Sequence, residues 1–423
     1  MVLFSRKKDN FYAFVVFLST VSFKQKRLHN LETAVTIYEW QLTYCKPSFI
    51  LKGWLMLMKL GKSLKLRSGA TLKNRAVMAP MTNMMSFFDG TVTKDEIEYY
   101  ALRSGEVGAV ITAAANVQAI GKGWDGEIGV FDDRHIEGLA KLSAAIKKSG
   151  TKSILQIFHG GRMTHSAILK GKQPVSASAV KAERPDAEEP RALTETEVLE
   201  VIEDFKAAAV RAVKAGFDGI EIHGANTYLI QQFFSPYSNR REDQWGGSLE
   251  KRYSFVDRLV NEIIEVVEKE TSEPFIIGYR FSPEEYENPG IRFEDTLYLV
   301  DKLADKDLDY LHISIGNYKQ VSRSENYQDK SMIEYINDKI NGRVPLISVG
   351  DIRTSADAEE ALQNSEMVAL GRVLLADPHW VSKVLSGRED IVRESVSVEE
   401  RDALRLNTGV WGFMEAMMPD RIK

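Results

Sequence analysis

One short stretch of the sequence brings together an imidazole, a carboxamide and a phenol. His223 and Asn226 are three residues apart, and Tyr228 follows two residues later. An imidazole and a carboxamide can both donate hydrogen bonds to one carbonyl oxygen, which stabilises the enolate charge that develops there. A phenol can deliver a proton to carbon. We interpret the three side chains as catalytic and substrate-binding; the alternative for His223 is a core histidine with satisfied hydrogen bonds.

Glycine and arginine residues in the last quarter of the chain could bind a phosphate group. Gly350 follows one strand-like run, and Gly371 and Arg372 follow the next. Glycine lets backbone N–H groups approach a phosphate, and arginine adds a forked cationic donor. The alternative is a pair of tight turns beside a surface arginine.

Two further polar residues lie in strand-like runs. Arg280 would be costly to bury without an anionic partner, so it either stabilises an electron-rich ring system or pairs with a carboxylate at the rim. Gln156 can donate and accept, as binding of an imide edge requires, or it could make a hydrogen bond that closes the barrel. No metal site is expected around His223, because Asn226 is a poor metal ligand and no second histidine or acid has suitable local spacing.

Short apolar, β-branched runs recur after Met58, and helical segments separate them. The predicted strands are Ala76–Ala79, Ala109–Ala113, Ser153–Phe158, Gly219–Ile222, Phe275–Arg280, Tyr310–Ser314, Leu346–Val349 and Met367–Leu370. Alternation of strands and helices favours a parallel sheet, and eight repeats favour its closure into a barrel. A doubly wound sheet would usually have a glycine-rich turn after its first strand, which this chain lacks.

The connecting segments support the same architecture. Helices are predicted over Asp133–Ser149, Glu195–Ala215 and Leu249–Glu270, and Thr194 with Glu197 has the spacing of a capping box. The connections 160–193 and 224–247 are long and fall on the carboxyl-terminal rim, where barrels build their sites. We therefore expect an α/β fold, a (β/α)8 TIM barrel over residues 58–423, with a capping loop or subdomain after the third strand.

Composition limits the class of protein. The chain has 423 residues, a net charge of −5 and one cysteine, Cys45. These values exclude a disulfide framework and a cysteine-ligated iron–sulfur cluster, and they give no broad basic field for nucleic acid. No apolar run approaches the roughly 18 residues of a spanning helix, so we expect no stable membrane insertion and a cytoplasmic location. Residues 1–57 are more basic than the rest, and we expect them to form an N-terminal extension outside the barrel.

Five motifs then occur in a fixed order along the chain. They are Met78–Thr82, Gln156, His223–Tyr228, Ser235–Arg252 and Ala369–Arg372. Together they resemble the Old Yellow Enzyme family of FMN-dependent NAD(P)H oxidoreductases, over about residues 59–385. One departure is Thr82, which stands where a bacterial subgroup of that family has a redox-tuning cysteine.

The resemblance implies one FMN at the carboxyl-terminal mouth of the barrel. It implies that Thr82, Gln156 and Arg280 contact the polar edge of the flavin ring. It also implies that Gly350, Gly371 and Arg372 hold the phosphate. The residues expected to line the ring are Ala79, Pro80, Met81 and Ala114. The substrate carbonyl would be bound by His223 and Asn226, with Tyr228 as proton donor.

The implied reaction has two halves. NADH or NADPH passes hydride to the flavin, and flavin N5 then gives hydride to the β-carbon of an α,β-unsaturated carbonyl compound while Tyr228 protonates the α-carbon. Two alternatives stay open: a flavoprotein that passes electrons to quinones, oxygen or free flavin, and a non-catalytic flavin-binding barrel. The expected partners are NAD(P)H and a small enone or quinone, with homo-oligomerisation as a further expectation.

Overall fold

The computed structural model of the chain describes residues 2–7, 10–15 and 58–423. Val2–Lys7 and Asn10–Val15 pair as two antiparallel strands, with Val2 opposite Val15. Cys45 and most of the segment 1–57 lie outside the described residues, so the expectation of an extension separate from the barrel stays a prediction.

Eight parallel strands form a closed barrel. They are β1 (Ala76–Met78), β2 (Ala109–Asn116), β3 (Lys152–Phe158), β4 (Gly219–Gly224), β5 (Ile276–Phe281), β6 (Tyr310–Ile313), β7 (Leu346–Val349) and β8 (Met367–Leu370). Each strand pairs with its neighbour in sequence, and β8 pairs with β1 to close the sheet. The predicted barrel is confirmed. Several bounds differ from the predicted ones by one to three residues. The two largest differences are at the site: β2 runs three residues further than predicted, and β4 runs two residues further, so that His223 lies inside it rather than beyond its end.

Helices follow the strands around the outside. They are α1 (Lys94–Ser104), α2 (Ile136–Lys147), α3 (Glu195–Lys214), α4 (Leu229–Phe234), α5 (Leu249–Glu270), α6 (Phe293–Ala304), α7 (Met332–Ile340), α8 (Ser355–Ala361), α9 (Arg372–Ala376), α10 (Trp380–Leu385) and α11 (Thr408–Met417). The predicted capping box starts α3, because Thr194 accepts from the Glu197 N–H while the Glu197 side chain accepts from the Thr194 N–H. The same helix stops before Gly216, whose φ of 72° is left-handed.

Alternation along the strands separates an inner core from an outer one. In β1, Val77 belongs to the cluster inside the barrel, whereas Ala76 and Met78 belong to the layer between strands and helices. The same period of two places Ile154 of β3 and Ile276 of β5 inside. Polar residues an even number of positions further along these strands therefore also face the interior, toward the carboxyl-terminal mouth.

The connection after β3 forms the expected cap. It contains a 3-10 turn, Gly161–Met163, and a short parallel sheet of Val175–Ser176 with Arg191–Ala192. Gln232 of α4 ties this cap to the loop after β4, since its Oε1 accepts from Ser176 Oγ at 2.9 Å and its Nε2 donates to the Thr227 carbonyl at 2.7 Å. In the described part of the chain, no helix combines the length and apolar character needed to cross a membrane.

Candidate functional site

A cavity of about 390 Å³ opens at the carboxyl ends of β1, β5, β7 and β8. This volume falls within the range of roughly 300–1,000 Å³ typical of ligand and cofactor sites. Eight of the ten residues predicted to bind a cofactor line it: Ala79, Pro80, Met81, Thr82, Arg280, Gly350, Gly371 and Arg372. Strand ends that are far apart in sequence thus meet at one place, as closure of the barrel requires.

Two glycines give the cavity its shape. Gly350 has a φ of 110°, and a Cβ there would lie 2.6 Å from the Asn317 nitrogen, so no other residue fits without moving backbone. A Cβ at Gly371 would project to 3.3 Å from the Met81 sulfur. Gly350 is therefore required by the backbone, whereas Gly371 leaves space beside the flexible Met81 side chain.

Arg280 brings a buried positive charge to the cavity. Its residue is 7% exposed, and it lies directly opposite His223 on β4 and His312 on β6. Within residues 58–423 it forms no ion pair with a rim carboxylate, and its Nε has no hydrogen-bond partner. Burial lowers the pKa of Arg280, and Glu221 opposes that shift. The guanidinium therefore keeps N–H donors that are free to bind a ligand.

Gln156 belongs to a hydrogen-bonded group inside the barrel. Its Nε2 donates to Glu221 Oε1 at 2.7 Å, and His312 Nδ1 donates to Glu221 Oε2 at 2.8 Å. Burial alone would raise the pKa of Glu221, but His312, Arg280 and Gln156 together lower it, so the carboxylate is charged. Because the Gln156 Nε2 group donates to Glu221, the Oε1 atom of Gln156 remains to accept a further hydrogen bond.

Gln156 and Ala114 lie beside the cavity rather than in its wall. The two residues face each other on β3 and β2, next to a register irregularity between Ile111 and Ala114. A hydrogen bond of Gln156 to the neighbouring strand inside the barrel, of the kind considered from the sequence as an alternative to imide binding, is present. It does not exclude imide binding, since one amide edge can bond to Glu221 while the other faces the mouth.

His223 is neutral and has a defined tautomer. Burial lowers its pKa well below the usual range, with further lowering from Arg280 and His312. Its Nδ1 accepts a hydrogen bond from the Ala225 backbone N–H at 3.3 Å. The ring proton therefore resides on Nε2, which makes His223 a hydrogen-bond donor without requiring an imidazolium ion.

Asn226 sits in a strained turn at the end of β4. Its φ is 55° and that of Thr227 is 65°, both in the left-handed region. The Asn226 N–H donates to Ser282 Oγ at 2.8 Å, and its Oδ1 accepts from Ser314 Oγ at 2.9 Å. The second of these bonds fixes the carboxamide so that Nδ2 remains as its donating end. Strain of this kind clusters at binding sites, where the surrounding structure enforces it.

Tyr228 packs among aromatic rings next to His223. Its ring meets that of His223 edge-on with centroids 5.1 Å apart, and that of Phe158 at 5.0 Å. Trp124 completes the group at 6.3 Å from Tyr228. Burial, followed by the charge of Glu127, raises the pKa of Tyr228 to about 12. The phenol is therefore protonated at neutral pH and oriented by rings rather than by a charged partner.

Several site residues were missed by the sequence reasoning. Glu221 and His312 could have been found, because they stand at inward-facing positions of strands β4 and β6. Arg353 and Arg421 also line the cavity. Arg353 follows β7 closely enough to be suspected, whereas Arg421 lies almost at the end of the chain and gave no local signal.

Comparison with known proteins identifies the relatives of this chain. A sequence profile of the NADH:flavin oxidoreductase / NADH oxidase family matches residues 59–390. The chain is 46% identical over 358 residues to a Vibrio harveyi protein named NADH:acrylate oxidoreductase, covering 84% of this chain and 36% of that protein. It is 43% identical over 361 residues to NADH:fumarate oxidoreductase of Klebsiella pneumoniae (strain 342), covering 84% of this chain and 39% of that protein.

The chain thus spans less than two-fifths of the length of these two relatives. A solved structure of morphinone reductase in complex with tetrahydroNAD superposes with a TM-score of 0.67 at 29% identity. That match covers 78% of this chain and 91% of the other.

Proposed function

Because the chain belongs to the NADH:flavin oxidoreductase / NADH oxidase family, we propose that it is an FMN-dependent enzyme that oxidises NADH or NADPH. We propose further that it reduces the C=C bond of α,β-unsaturated carbonyl compounds. The observation that carries the proposal is the contact between the rings of His223 and Tyr228, 5.1 Å apart and next to Arg280. A neutral donor and a protonated phenol in contact suit polarisation of a carbonyl and protonation of the carbon beside it.

The residues at the barrel mouth fit FMN. The unpartnered Nε of Arg280 and the space kept open at Gly371 are features that a bound anionic, planar group would use. We infer that Thr82, Gln156 and Arg280 bind the polar edge of the ring system, with Ala79, Pro80, Met81 and Ala114 along it. The proposed phosphate residues are Gly350, Gly371 and Arg372. When bound, FMN supplies the hydride-transfer chemistry, and the protein supplies position and electrostatics.

His223 and Asn226 position the substrate in this proposal. The His223 Nε2–H and the Asn226 Nδ2–H both donate to the carbonyl oxygen, which draws charge away from the double bond. His223 needs no proton from solvent to do so, because its neutral form already carries the donor. Asn226 is held by Ser282 and Ser314, so little conformational freedom is lost when the substrate binds.

Tyr228 delivers the proton to the α-carbon. Its high pKa keeps the phenol protonated across the neutral range, so the proton is present when the carbanionic charge develops. Phe158, His223 and Trp124 pack around the ring and fix its orientation.

Tyr228→Phe tests this assignment. Flavin reduction by NADH should stay within about twofold of the parent, whereas reoxidation by 2-cyclohexenone should slow by roughly 10²- to 10⁴-fold, the usual contribution of a general acid. Anaerobic stopped-flow spectroscopy measures the two half-reactions separately. Phe131→Leu, a ring change at a residue that packs against His135 with centroids 4.7 Å apart, serves as control. Equal slowing of both half-reactions in Tyr228→Phe would show that the phenol acts on the fold or the flavin instead.

A second candidate is an NAD(P)H dehydrogenase that passes electrons to quinones or to another flavin. The observation that favours it is the partial match to the acrylate and fumarate oxidoreductases, since more than three-fifths of each lies outside the matched region. The two functions separate in one experiment: the reduced enzyme is mixed anaerobically with 2-cyclohexenone or with a soluble quinone. Fast reoxidation by quinone alone, unaffected by Tyr228→Phe, would favour the second candidate.

The remaining expectations stand as proposals. We infer a cytoplasmic location, a barrel formed by residues 58–423 and association of the chain with further copies of itself. The non-catalytic alternative falls away, since the family consists of oxidoreductases.

A further inference from the structure

Part of the cavity wall comes from beyond the region that matches the family. The profile ends at residue 390, yet Phe413, Met418 and Arg421 line the cavity together with the residues proposed to hold the phosphate. We propose that Arg421 binds the FMN phosphate, so that the C-terminal segment (residues 391–423) helps to retain the cofactor. This inference rests on the proposed placement of FMN in the cavity.

The C-terminal segment is anchored where this role requires. Arg103, which is fully buried in α1, donates through Nη2 to the Leu404 carbonyl at 2.9 Å. A side chain at Gly409 would collide with the carbonyl of Met84, so helix α11 lies directly against the loop that follows β1. Near the end of the chain, the Val396 N–H donates to the Arg421 carbonyl at 2.8 Å. The backbone of Arg421 is therefore fixed beside the cavity.

The Arg421 side chain has unused donors. The residue is 4% exposed, and its Nη1 donates to the Glu394 carbonyl at 3.0 Å. Its Nε forms no hydrogen bond among the described residues, although it lies 3.5 Å from Asp420 Oδ2. Asp420 is 61% exposed, so water weakens that ion pair. A guanidinium has five N–H donors, and most of these remain for a ligand.

Positive charge exceeds negative charge at this end of the cavity. Arg353 and Arg372 line it as well, and both share Asp351, at 2.7 Å and 3.6 Å respectively. The pKa of Arg421 is lowered by burial first and then by the charges of Arg353 and Arg372, a sign that the three guanidinium groups are close. A phosphate carrying nearly two negative charges would offset this excess and accept several charge-assisted hydrogen bonds.

Paired titrations with FMN and riboflavin test the proposal, because the two ligands differ only in the phosphate. The full-length chain is stripped of flavin and titrated with each ligand, with quenching of flavin fluorescence as the signal. For Arg421→Met we expect the Kd for FMN to rise about 10- to 100-fold, as loss of hydrogen bonds to a charged group implies. The Kd for riboflavin should change less than twofold.

Arg401→Met is the matched control. Arg401 lies in the same segment and donates to the Leu406 carbonyl at 2.8 Å, but it does not line the cavity. Its removal should change neither Kd. Arg421→Lys keeps the charge without the fork, and its Kd for FMN should lie between those of the parent and Arg421→Met.

Two results would overturn the inference. Equal weakening of FMN and riboflavin by Arg421→Met would mean that Arg421 supports the fold and not the phosphate. An unchanged Kd for FMN would remove any role in binding. If the parent chain binds neither flavin, the proposed placement of FMN fails as well. The titrations of the parent identify that case before any variant is compared.

Discussion

Glu221→Gln should destabilise the barrel from its centre. Glu221 is 0% exposed and accepts two hydrogen bonds, from Gln156 at 2.7 Å and from His312 at 2.8 Å. It also provides the negative charge that opposes the loss of charge at Arg280. Glutamine has the same shape but carries no charge and only one accepting atom. One of the two donors must then lose its partner or reorient.

The size of the effect follows from these contacts. One hydrogen bond to a charged group contributes a net ~1.5–3 kcal/mol. Burial lowers the pKa of His312, so at pH 7 its ring is a neutral donor and the pair with Glu221 is a hydrogen bond to a charged group. Since His312 can also change tautomer and relieve part of the mismatch, we expect a loss of roughly 2 kcal/mol at pH 7.

The loss should also depend on pH. The pKa of Glu221 is lowered in the folded chain from its ordinary value of 4.5. A carboxyl group of this kind adds stability above its unfolded pKa, and that stability is lost as pH falls through the folded pKa. The difference between parent and Glu221→Gln should therefore be full at pH 7 and shrink below about pH 4.5.

Urea unfolding of the flavin-free chain at pH 7 and at several values below pH 5 measures both quantities. Glu137→Gln is the control, because the Glu137 side chain is 82% exposed and pairs with Lys141 on the helix surface. Such a change should cost less than about 0.5 kcal/mol. If Glu221→Gln behaves like Glu137→Gln, or if its deficit grows as pH falls, the charged state assigned to Glu221 is wrong.

Three further predictions concern individual residues. Gly350→Ala should lower stability by more than about 1 kcal/mol and reduce flavin content, because the φ of Gly350 is 110°. Gly105→Ala is the control, since an added Cβ there would meet only Ser149 Oγ at 3.9 Å and Gly105 lies outside the cavity wall; urea unfolding and the absorbance of bound flavin would compare the two. The rate of enone reduction should show no ionisation of His223 at roughly pH 5–8, where an unperturbed histidine titrates. If the pH profile of the parent has an ionisation step in that range and the profile of His223→Asn lacks it, the ring of His223 is not permanently neutral. Burial raises the pKa of Glu96 to about 7. The free energy of unfolding of the parent should therefore fall by up to roughly 3 kcal/mol as pH rises from about 4.5 to about 7, since each pKa unit corresponds to about 1.4 kcal/mol. A similar slope in Glu96→Gln would refute this assignment.

Features encoded within a few residues could be predicted from the sequence. The alternation of eight apolar runs with helices, the capping box of Thr194 and Glu197, and the left-handed stop at Gly216 all depend on neighbours in the chain. Positions at strand ends follow from the same reading, because parallel strands in a closed barrel point their carboxyl ends to one rim. Eight of the ten expected cofactor residues therefore line one cavity.

The rest depended on the tertiary structure, for a physical reason. Glu221 meets Gln156 across 65 residues of sequence and His312 across 91, and those contacts exist only because the register of the closed sheet sets inward-facing positions side by side. Arg421 reaches the cavity because the C-terminal segment packs back onto the mouth of the barrel. Periodicity and capping depend on neighbouring residues, so the sequence by itself determined the strands, the helices and the end of the barrel that carries the site. Which charged groups surround the site was decided by packing between segments that are distant in sequence.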